Sequence, residues 1–323
     1  MNILVTGGCG FIGSHIAEYH LSRGDKVTVV DNLSTGSLSN IDEFKNDKLT
    51  FIHADILSWG GLEKEVAKAD RIYHMAAVLG VFRVIERPIE MLTTNILGCH
   101  NILNAMVSSK SKARLIVASS SSAYGRSKQQ VLAEQDDLII CPYAPPLWGY
   151  AVSKIADEAF CMAYHQQYDL PVTIVRIFNT VGPRQTGLYG MVIPRFVQQA
   201  CSNTPITVYG EGTQIRSFCD VRDTVVMLDL IAEKNISIGE PINVGKDSEL
   251  SINSLAELVK QKADSQSPIT YLSYEKAYGV AFTDILHRKP DLTKLRALTD
   301  FKHQWSLDST IEDLIQRQRQ IPR

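Results

Sequence analysis

Short apolar runs alternate with amphipathic segments along the first half of the chain. Runs rich in β-branched residues at 3–6, 26–30, 49–52, 71–74, 115–118 and 172–177 predict buried strands. Between them, residues 12–23 and 88–109 repeat apolar side chains at helical spacing. This alternation predicts a parallel sheet with helices on both faces, which is a doubly wound α/β fold.

After residue 178 the pattern becomes less regular. Short runs at 206–210 and 212–216 stand among loops, followed by a predicted helix over 220–233 and a strand over 241–245. Residues 251–262 read as an amphipathic helix with Ser251 or Asn253 as N-cap, and a last helix is expected from about residue 307. We therefore expect a doubly wound domain over 1–178 and about 219–245. A smaller mixed α/β substrate-binding lobe is expected over 179–218 and 246–323.

The composition is that of a soluble, enzyme-sized protein rather than a partner of nucleic acid or membranes. The 323 residues include 33 basic and 35 acidic side chains, a formal charge of -2, with no long basic run. No apolar run approaches the roughly 20 residues of a membrane span, and the first strand follows Met1 directly. The six cysteines lack a Cys-x-x-Cys pair and the eight histidines are scattered. We therefore expect a cytoplasmic protein with reduced thiols and no metal site.

A glycine-rich turn links the first predicted strand to the first helix. Its sequence over 6–13 is TGGCGFIG, and the second strand ends at Asp31. Such glycines let the backbone approach a pyrophosphate at the helix N-terminus, while the carboxylate binds ribose hydroxyls. We predict a Rossmann-type site for NAD rather than NADP, because no basic residue follows Asp31 until Lys45. The predicted contacts in the turn are Gly7, Gly10, Phe11, Ile12 and Gly13.

Further cofactor contacts are predicted at the ends of other strands. Ligands of doubly wound sheets bind at the carboxyl edge, where these residues fall. Acidic and amide side chains there suit ribose and adenine, and two alanines let the cofactor pass close to a strand end. The predicted contacts are Asn32, Asp55, Ile56, Ala76, Ala77 and, in the following helix, Asn95.

Tyr150 and Lys154 stand four residues apart at the start of a helical segment and therefore share one face. The lysine ammonium favours a phenolate, so the tyrosine can remove a hydroxyl proton without help from histidine. The four serines at 119–122 follow a predicted strand, where one hydroxyl can bond the reacting oxygen; a plain polar turn explains them equally well. Acyl-transfer chemistry lacks its nucleophile, because the sequence has no Gly-x-Ser-x-Gly elbow.

The second lobe carries arginines near short strands and loops. The candidates are Asn179, Arg184, Arg216 and Arg288, each of which alone could be an ordinary surface residue at a loop exit. Together they suit an anionic, partly aromatic ligand, because recognition of a diphosphate calls for several planar donors from separate loops.

Taken together, these motifs resemble those of extended short-chain dehydrogenases/reductases of the NAD-dependent nucleotide-sugar epimerase/dehydratase family, which includes enzymes like UDP-glucose 4-epimerase. The resemblance covers nearly the whole chain in the family's order. It is carried by TGGCGFIG over 6–13, VDN over 30–32, SSSSAYG over 119–125, YAVSK over 150–154, RIFN over 176–179 and GPRQ over 182–185.

The resemblance implies a role for each candidate residue. Tyr150 is the general base, Lys154 stabilises its phenolate and binds the nicotinamide ribose, and Ser120 holds the sugar hydroxyl. A homodimer through the helices around 90–109 and 150–168 is also implied. The implied substrate contacts are Ser120, Ser121, Ser122, Asn179, Val192, Arg195, Tyr209, Arg216 and Arg288.

Two departures from the family pattern bear on the reaction. Ser121 and Ser122 stand where dehydratases have an Asp-Glu pair and where decarboxylases usually keep a Glu. We therefore expect NAD-dependent C4 epimerisation of a nucleoside-diphosphate sugar, preferably a UDP-sugar, through a transient 4-keto intermediate. The alternative within enzymes is a UDP-glucuronate decarboxylase or a related nucleotide-sugar dehydratase. The alternative from another class, an NAD-sensing regulator, is disfavoured because such proteins generally lose the tyrosine or the lysine.

Overall fold

The computed structural model describes residues 1–140, 147–187, 190–279 and 285–320. Its strands are β1 (Asn2–Thr6), β2 (Lys26–Asp31), β3 (Leu49–His53), β4 (Arg71–His74), β5 (Arg114–Ser120), β6 (Val172–Ile177), β7 (Thr180–Val181), β8 (Ile206–Tyr209), β9 (Ile215–Ser217), β10 (Cys219–Asp220), β11 (Pro241–Val244), β12 (Glu249–Ser251), β13 (Ile269–Leu272) and β14 (His287–Arg288). Its helices are α1 (Phe11–Ser22), α2 (Ser39–Asp42), α3 (Leu62–Lys68), α4 (Val81–Glu86), α5 (Pro88–Ser108), α6 (Leu147–Tyr168), α7 (Val192–Cys201), α8 (Val221–Ala232), α9 (Ile252–Lys262), α10 (Tyr274–Tyr278), α11 (Thr293–Thr299) and α12 (Leu307–Gln320).

Seven strands form one parallel sheet in the order β11-β6-β5-β4-β1-β2-β3. β1 pairs with β2 on one side and with β4 on the other, so the sheet grows in opposite directions from β1. In doubly wound sheets, the carboxyl ends of the strands at such a switch point form the ligand-binding crevice. The predicted doubly wound α/β fold is confirmed.

The strands of this sheet pack against a core on each face. In β1, Ile3 and Val5 join the core that also contains α1, α8 and α11, whereas Leu4 joins the core that contains α3, α5 and α6. Successive side chains of a strand point to opposite faces, which explains the division. Because both faces are buried, the strands appear in the sequence as continuous apolar runs rather than alternating ones.

The last strand of the sheet comes from far along the chain. β11 pairs in parallel with β6, and its Ile242 is fully buried in the same core as Ile3. Helix α8 leads to this strand and packs against α1. A segment from residue 221 to 244 therefore returns to the sheet after the chain has begun the smaller lobe.

The other strands form three small sheets, with the orders β10-β7, β12-β9-β14 and β13-β8. A third core lies between α7, α9 and α12, where Phe196, Leu255 and Ile311 are fully buried. These elements mix short strands with helices outside the seven-stranded sheet.

The sequence pattern located the long elements but missed several short ones. It predicted no helix over α7, and it ended the fifth strand before Ser119 and Ser120, both of which belong to β5. The N-cap of α9 is Ser251, not Asn253, because the Ser251 hydroxyl accepts a hydrogen bond from the backbone N–H of Ser254 at 3.0 Å. Short elements depend on pairing partners that are distant in sequence, and periodicity carries little information about them.

Within the part of the chain that the structure describes, no helix is long and apolar enough to cross a membrane. The cysteines in these ranges are free thiols, and Cys141 lies outside them. No three histidine, cysteine or carboxylate side chains of the described residues gather in a way that could bind a metal ion.

We expect Ile242→Ala to lower the free energy of unfolding by about 2–5 kcal/mol, because truncating a buried isoleucine leaves a cavity in the core. Urea denaturation would measure the change. The matched control is Ile236→Ala, since Ile236 is 77% exposed and its truncation should change the free energy of unfolding by no more than about 0.5 kcal/mol. Equal effects of the two substitutions would contradict the burial of β11 in the sheet core.

Candidate active site

A cavity of about 590 Å³ opens at the carboxyl edge of the sheet, beside the switch point between β1 and β4. Its walls come from the turn after β1, from the ends of β2, β4, β5 and β6, from the first turns of α6, and from the smaller lobe. A ligand in this cavity would touch both parts of the protein. Every residue predicted for the site lines the cavity except Asn95.

The glycine turn after β1 packs against neighbouring backbone at distances that no side chain would allow. A Cβ atom on Gly7 would lie 2.6 Å from the backbone nitrogen of Ala76, and Gly7 has a φ of +69°. A Cβ atom on Gly13 would lie 2.2 Å from the carbonyl oxygen of Gly7. Helix α1 begins after Gly10 without a side-chain cap, so its first N–H groups are available to an anion. This cradle fits the pyrophosphate of NAD.

Two backbone N–H groups orient the carboxylate of Asp31 at the end of β2. Its Oδ2 accepts from Cys9 at 2.9 Å and its Oδ1 accepts from Leu33 at 2.8 Å. Burial raises the pKa of Asp31, and these hydrogen bonds act in the opposite direction. Each oxygen keeps a further lone pair for a ribose hydroxyl. Nearby, the Asn32 amide donates to Asp55 at 3.2 Å, which ties two of the predicted cofactor contacts together.

Asn95 is the one predicted cofactor contact that does not line the cavity; its contact with the cofactor stays a prediction. Its side chain is fully buried, and its Oδ1 accepts from the backbone N–H of Val78 at 2.7 Å. Its Nδ2 donates to the Val78 carbonyl at 3.2 Å and to the Ser153 hydroxyl at 3.0 Å. Asn95 therefore joins the segment after β4 to helix α6, directly beside Lys154.

The serine run lies where β5 passes into a 3₁₀ turn, and Ser120, Ser121 and Ser122 all line the cavity. The Ser120 Oγ accepts from the Ser122 backbone N–H at 3.1 Å, so its own hydrogen is available to a ligand. Behind this row, Glu158 accepts from the Ser119 hydroxyl and from the Arg176 guanidinium through two hydrogen bonds of 3.0 and 2.8 Å. A buried ion pair thus holds the end of the strand in place.

Tyr150 and Lys154 project from α6 into the same cavity, as their spacing predicts. The Lys154 side chain is almost fully buried, and its Nζ donates to Asp157 Oδ2 at 3.0 Å. Burial alone would lower the pKa of Lys154, but the charges of Asp157 and Tyr150 outweigh burial and raise it. The site therefore contains a permanent cation close to the tyrosine hydroxyl, which is the arrangement a phenolate base requires.

On the opposite side of the cavity, two arginines stand next to each other. Arg216 of β9 pairs in register with Arg288 of β14, and both line the cavity. The Arg216 guanidinium donates to the carbonyls of Ile215 and Ile285, each at 2.8 Å, which fixes its position. Like charges on neighbouring strands repel, and a bound anion would offset that repulsion. The pair therefore suits the diphosphate of a nucleotide.

Arg195 and Tyr209 form a second unit of the smaller lobe. The Arg195 guanidinium lies 3.9 Å from the centre of the Tyr209 ring and donates to the Thr207 carbonyl at 2.5 Å. Burial lowers the pKa of Arg195. Tyr278 meets the Tyr209 ring edge to face at 5.3 Å. Val192 and Asn179, also predicted, line the cavity nearby, so this wall offers aromatic surface together with polar groups.

Sequence reasoning missed several residues of the site. Asp157 could have been found, because it lies seven residues after Tyr150 and so repeats the helical face. Arg184, by contrast, was named from the sequence as a candidate for the diphosphate; it lines the cavity and pairs with Glu18 of α1 at 2.6 Å. Tyr278 was missed because its short helix carries too little periodicity for a prediction.

We expect Gly13→Ala to abolish NAD binding, because its Cβ atom would force the glycine turn away from the N-terminus of α1. Isothermal titration with NAD would measure the loss, and circular dichroism would verify that the variant folds. Gly60→Ala is the matched control, since no atom lies within 4 Å of a Cβ at Gly60. Unchanged NAD affinity in Gly13→Ala would contradict the assignment of this turn to the pyrophosphate.

Comparison with known proteins agrees with this geometry. The model of the NAD-dependent epimerase/dehydratase family matches residues 3–245. The UDP-N-acetyl-alpha-D-glucosaminuronate decarboxylase of Bacillus cytotoxicus is 39% identical over 98% of this chain and 98% of its own length. UDP-glucuronic acid decarboxylase 1 of Xenopus tropicalis is 35% identical over 92% of this chain and 67% of its own length.

A solved structure extends the similarity to three dimensions. The UDP-glucose 4-epimerase of Thermotoga maritima with UDP-glucose superposes with a TM-score of 0.87 at 27% identity, covering 99% of each chain. Membership of one protein family therefore explains the fold, the glycine cradle and the tyrosine–lysine pair. The chain belongs to the NAD-dependent epimerase/dehydratase family, as an extended short-chain dehydrogenase/reductase with NAD as its cofactor.

Proposed function

We propose that this protein decarboxylates a UDP-hexuronate, either UDP-glucuronate or its 2-acetamido counterpart, through a 4-keto intermediate. The observation that carries the proposal is the match of more than nine-tenths of the chain, at 35–39% identity, to a UDP-N-acetyl-alpha-D-glucosaminuronate decarboxylase and a UDP-glucuronic acid decarboxylase. The catalytic wall is compatible with that reaction. Tyr150, Lys154 and Ser120 supply what oxidation at C4 needs, and the neighbouring Ser121 and Ser122 present no carboxylate to the cavity.

Each catalytic side chain has a defined task in this reaction. Tyr150, as phenolate, removes the proton of the C4 hydroxyl, and the Lys154 ammonium stabilises the phenolate. Ser120 donates to the developing carbonyl oxygen. Bound NAD supplies the hydride acceptor for C4 and the hydride that is later returned, so no net oxidation results.

Decarboxylation follows from the position of the ketone. A C4 ketone makes the carboxylate on C5 a β-keto acid, which loses carbon dioxide and leaves an enolate. The enolate takes one proton at C5, and hydride returns to C4. Because the ketone provides the driving force, this step needs no additional active-site carboxylate, and the serines at 121 and 122 are compatible with it.

Charge also favours an acidic sugar. A uronate brings a carboxylate into the cavity, where the hydroxyls of Ser121 and Ser122 can donate hydrogen bonds to it. Behind the catalytic wall, Glu158 is neutralised by Arg176 at 2.8 Å, and Asp157 is paired with Lys154 at 3.0 Å. The wall that faces the sugar ring therefore has hydroxyl donors at its surface.

The comparisons support decarboxylation over the epimerisation that the sequence motifs favoured. The two decarboxylases named above match more than nine-tenths of this chain at 35–39% identity, whereas the superposed epimerase is 27% identical. C4 epimerisation of a UDP-sugar is the second candidate. Its support is the absence of a carboxylate at Ser121 and Ser122 and the TM-score of 0.87 to an enzyme of that activity.

We expect the purified protein with NAD to convert UDP-glucuronate or UDP-N-acetylglucosaminuronate to a UDP-sugar that has lost carbon dioxide. Mass spectrometry and NMR of the products would identify the reaction, with UDP-glucose and UDP-N-acetylglucosamine as neutral substrates in the same panel. An isomer of unchanged mass from any substrate, without loss of carbon dioxide, would overturn the proposal in favour of epimerisation.

Two tyrosine variants of α6 test whether Tyr150 is the base in this reaction. Tyr150→Phe removes the base and should lower kcat by about 10²–10⁴-fold. Tyr168→Phe makes the same chemical change at the far end of the helix, where the side chain is 45% exposed, and should leave kcat unchanged. Equal turnover by the two variants would remove Tyr150 from the mechanism.

We also propose a homodimer through α5 and α6. Both helices carry exposed apolar side chains, Leu97 at 47% and Val152 at 43% exposure, which a second copy could cover. Light scattering should give twice the mass of one chain, and Leu97→Glu should reduce it to that of a monomer. Ile236→Glu also replaces an exposed apolar side chain with a charged one, but outside α5 and α6, and should leave the dimer intact. A monomeric wild-type protein would refute the proposal.

A further inference from the structure

Asp157 continues the catalytic face of helix α6. Tyr150, Lys154 and Asp157 stand at positions i, i+4 and i+7, which lie above one another in a helix with 3.6 residues per turn. The rise of the helix places Asp157 about 10 Å along the axis from Tyr150, with Lys154 between them. The three side chains therefore form one line, with the base at the cavity and the carboxylate inside the protein.

The contact between Lys154 and Asp157 is an ion pair without solvent. Both residues are nearly or completely buried, at 2% and 0% exposure, and the distance from Nζ to Oδ2 is 3.0 Å. Screening by water is weak in such a place, so each charge acts strongly on its neighbours. The carboxylate therefore does two things at once: it fixes the ammonium, and it opposes the positive field that the ammonium creates.

The second oxygen of the carboxylate shows that this pair is not optimised for stability. Asp157 Oδ1 is buried and has no hydrogen-bond partner among the described residues. A buried ionised oxygen without a partner costs folding free energy, and a neutral side chain of similar size would avoid that cost. Burial accordingly raises the pKa of Asp157, against the effect of Lys154. A functional role for the carboxylate would explain why the cost is tolerated.

Other titratable groups lie close enough to interact with the pair. They come from α6 itself, from α5 and from β4, and they are Tyr150, Glu158, Cys161, Cys99 and His74.

Most of these groups contribute no net charge near neutral pH. Glu158 is paired with Arg176. Burial, with a smaller contribution from Lys154, lowers the pKa of His74 to about 3, so the ring is neutral. The Cys161 contact and burial raise the pKa of Cys99, so that its thiol is neutral too. The field at the tyrosine hydroxyl is consequently set by the ammonium and by the carboxylate that opposes it.

We propose that Asp157 is a positioning residue that holds the Lys154 ammonium in place and offsets part of its positive field at the Tyr150 hydroxyl. The proposal rests on the proposed function only in taking Tyr150 as the base. On this proposal, Asp157 helps to set the pH at which the base becomes active. An ion pair with a purely structural role would not affect that pH.

Asp157→Asn tests the charge, because an amide oxygen can still accept from Nζ. Loss of the negative charge favours the phenolate, so the acid limb of the kcat profile should move to lower pH. For one charge about 10 Å away at an effective dielectric constant of about 20, the shift is up to about one pH unit. Asp157→Ala should shift the limb in the same direction and should also weaken NAD binding, because the ammonium loses its anchor.

A second readout does not depend on turnover. Ultraviolet difference titration of each protein against its own Tyr150→Phe version isolates the phenolate absorbance of Tyr150 from that of the other tyrosines. We expect this titration to move to lower pH by the same amount as the acid limb. A substrate panel without product would overturn the decarboxylase proposal and leave this titration unaffected, so the two failures are distinguishable.

Asp169→Asn is the matched control. It removes the same charge just past the end of α6, about 20 Å along the helix from Lys154. Asp169 is exposed and has a φ of +55°, a backbone conformation that asparagine also adopts readily. It should change neither readout. The proposal is overturned if Asp157→Asn titrates like the wild type or like Asp169→Asn. If Asp157→Asn does not fold, as thermal unfolding would reveal, Asp157→Ala decides the charge test by the same criterion.

Discussion

The buried ammonium of Lys154 is the interaction on which the rest of the site depends. Burial disfavours a charged lysine, and the chain meets that cost with the carboxylate of Asp157 at 3.0 Å. The surroundings then hold the lysine in place: Asn95 bonds Ser153 next to it, and ties the helix to the segment after β4. This places a permanent cation on the same helical face as Tyr150, which is the arrangement that favours a phenolate base.

The two sides of the cavity recognise ligands by different physical means. On the cofactor side, recognition is largely backbone: the glycine turn allows close approach, and the N-terminus of α1 offers N–H groups. On the proposed substrate side, the cavity presents side chains, with Arg216 beside Arg288 and Arg195 over the Tyr209 ring. A backbone cradle tolerates little change, whereas side chains on short strands can vary, which fits a family with one cofactor and many sugars.

Epimerisation and decarboxylation share the first chemical step, because both need a ketone at C4. What separates them is the substituent on C5 and the freedom of the keto sugar to turn. The row from Ser120 to Ser122 is compatible with both outcomes, since it donates hydrogen bonds and brings no competing charge. The two decarboxylases, which match more than nine-tenths of this chain, are the support for proposing the second outcome.

Local features of the sequence were sufficient for the long elements, the glycine turn, Asp31 and the Tyr150–Lys154 pair. Each of these depends on spacing within one segment, and spacing is visible in a sequence. The sequence could not show that Asn95 bonds Val78 and Ser153, because a helical residue can face either a cavity or a neighbouring element, and only packing decides which. The place of Tyr278 in the cavity and the register of Arg216 with Arg288 became visible only in three dimensions, since each arises where segments distant in sequence meet. The spacing in the sequence places Asp157 on the same helical face as Tyr150 and Lys154. Only the folded structure shows that one oxygen of its buried carboxylate has no hydrogen-bond partner among the described residues.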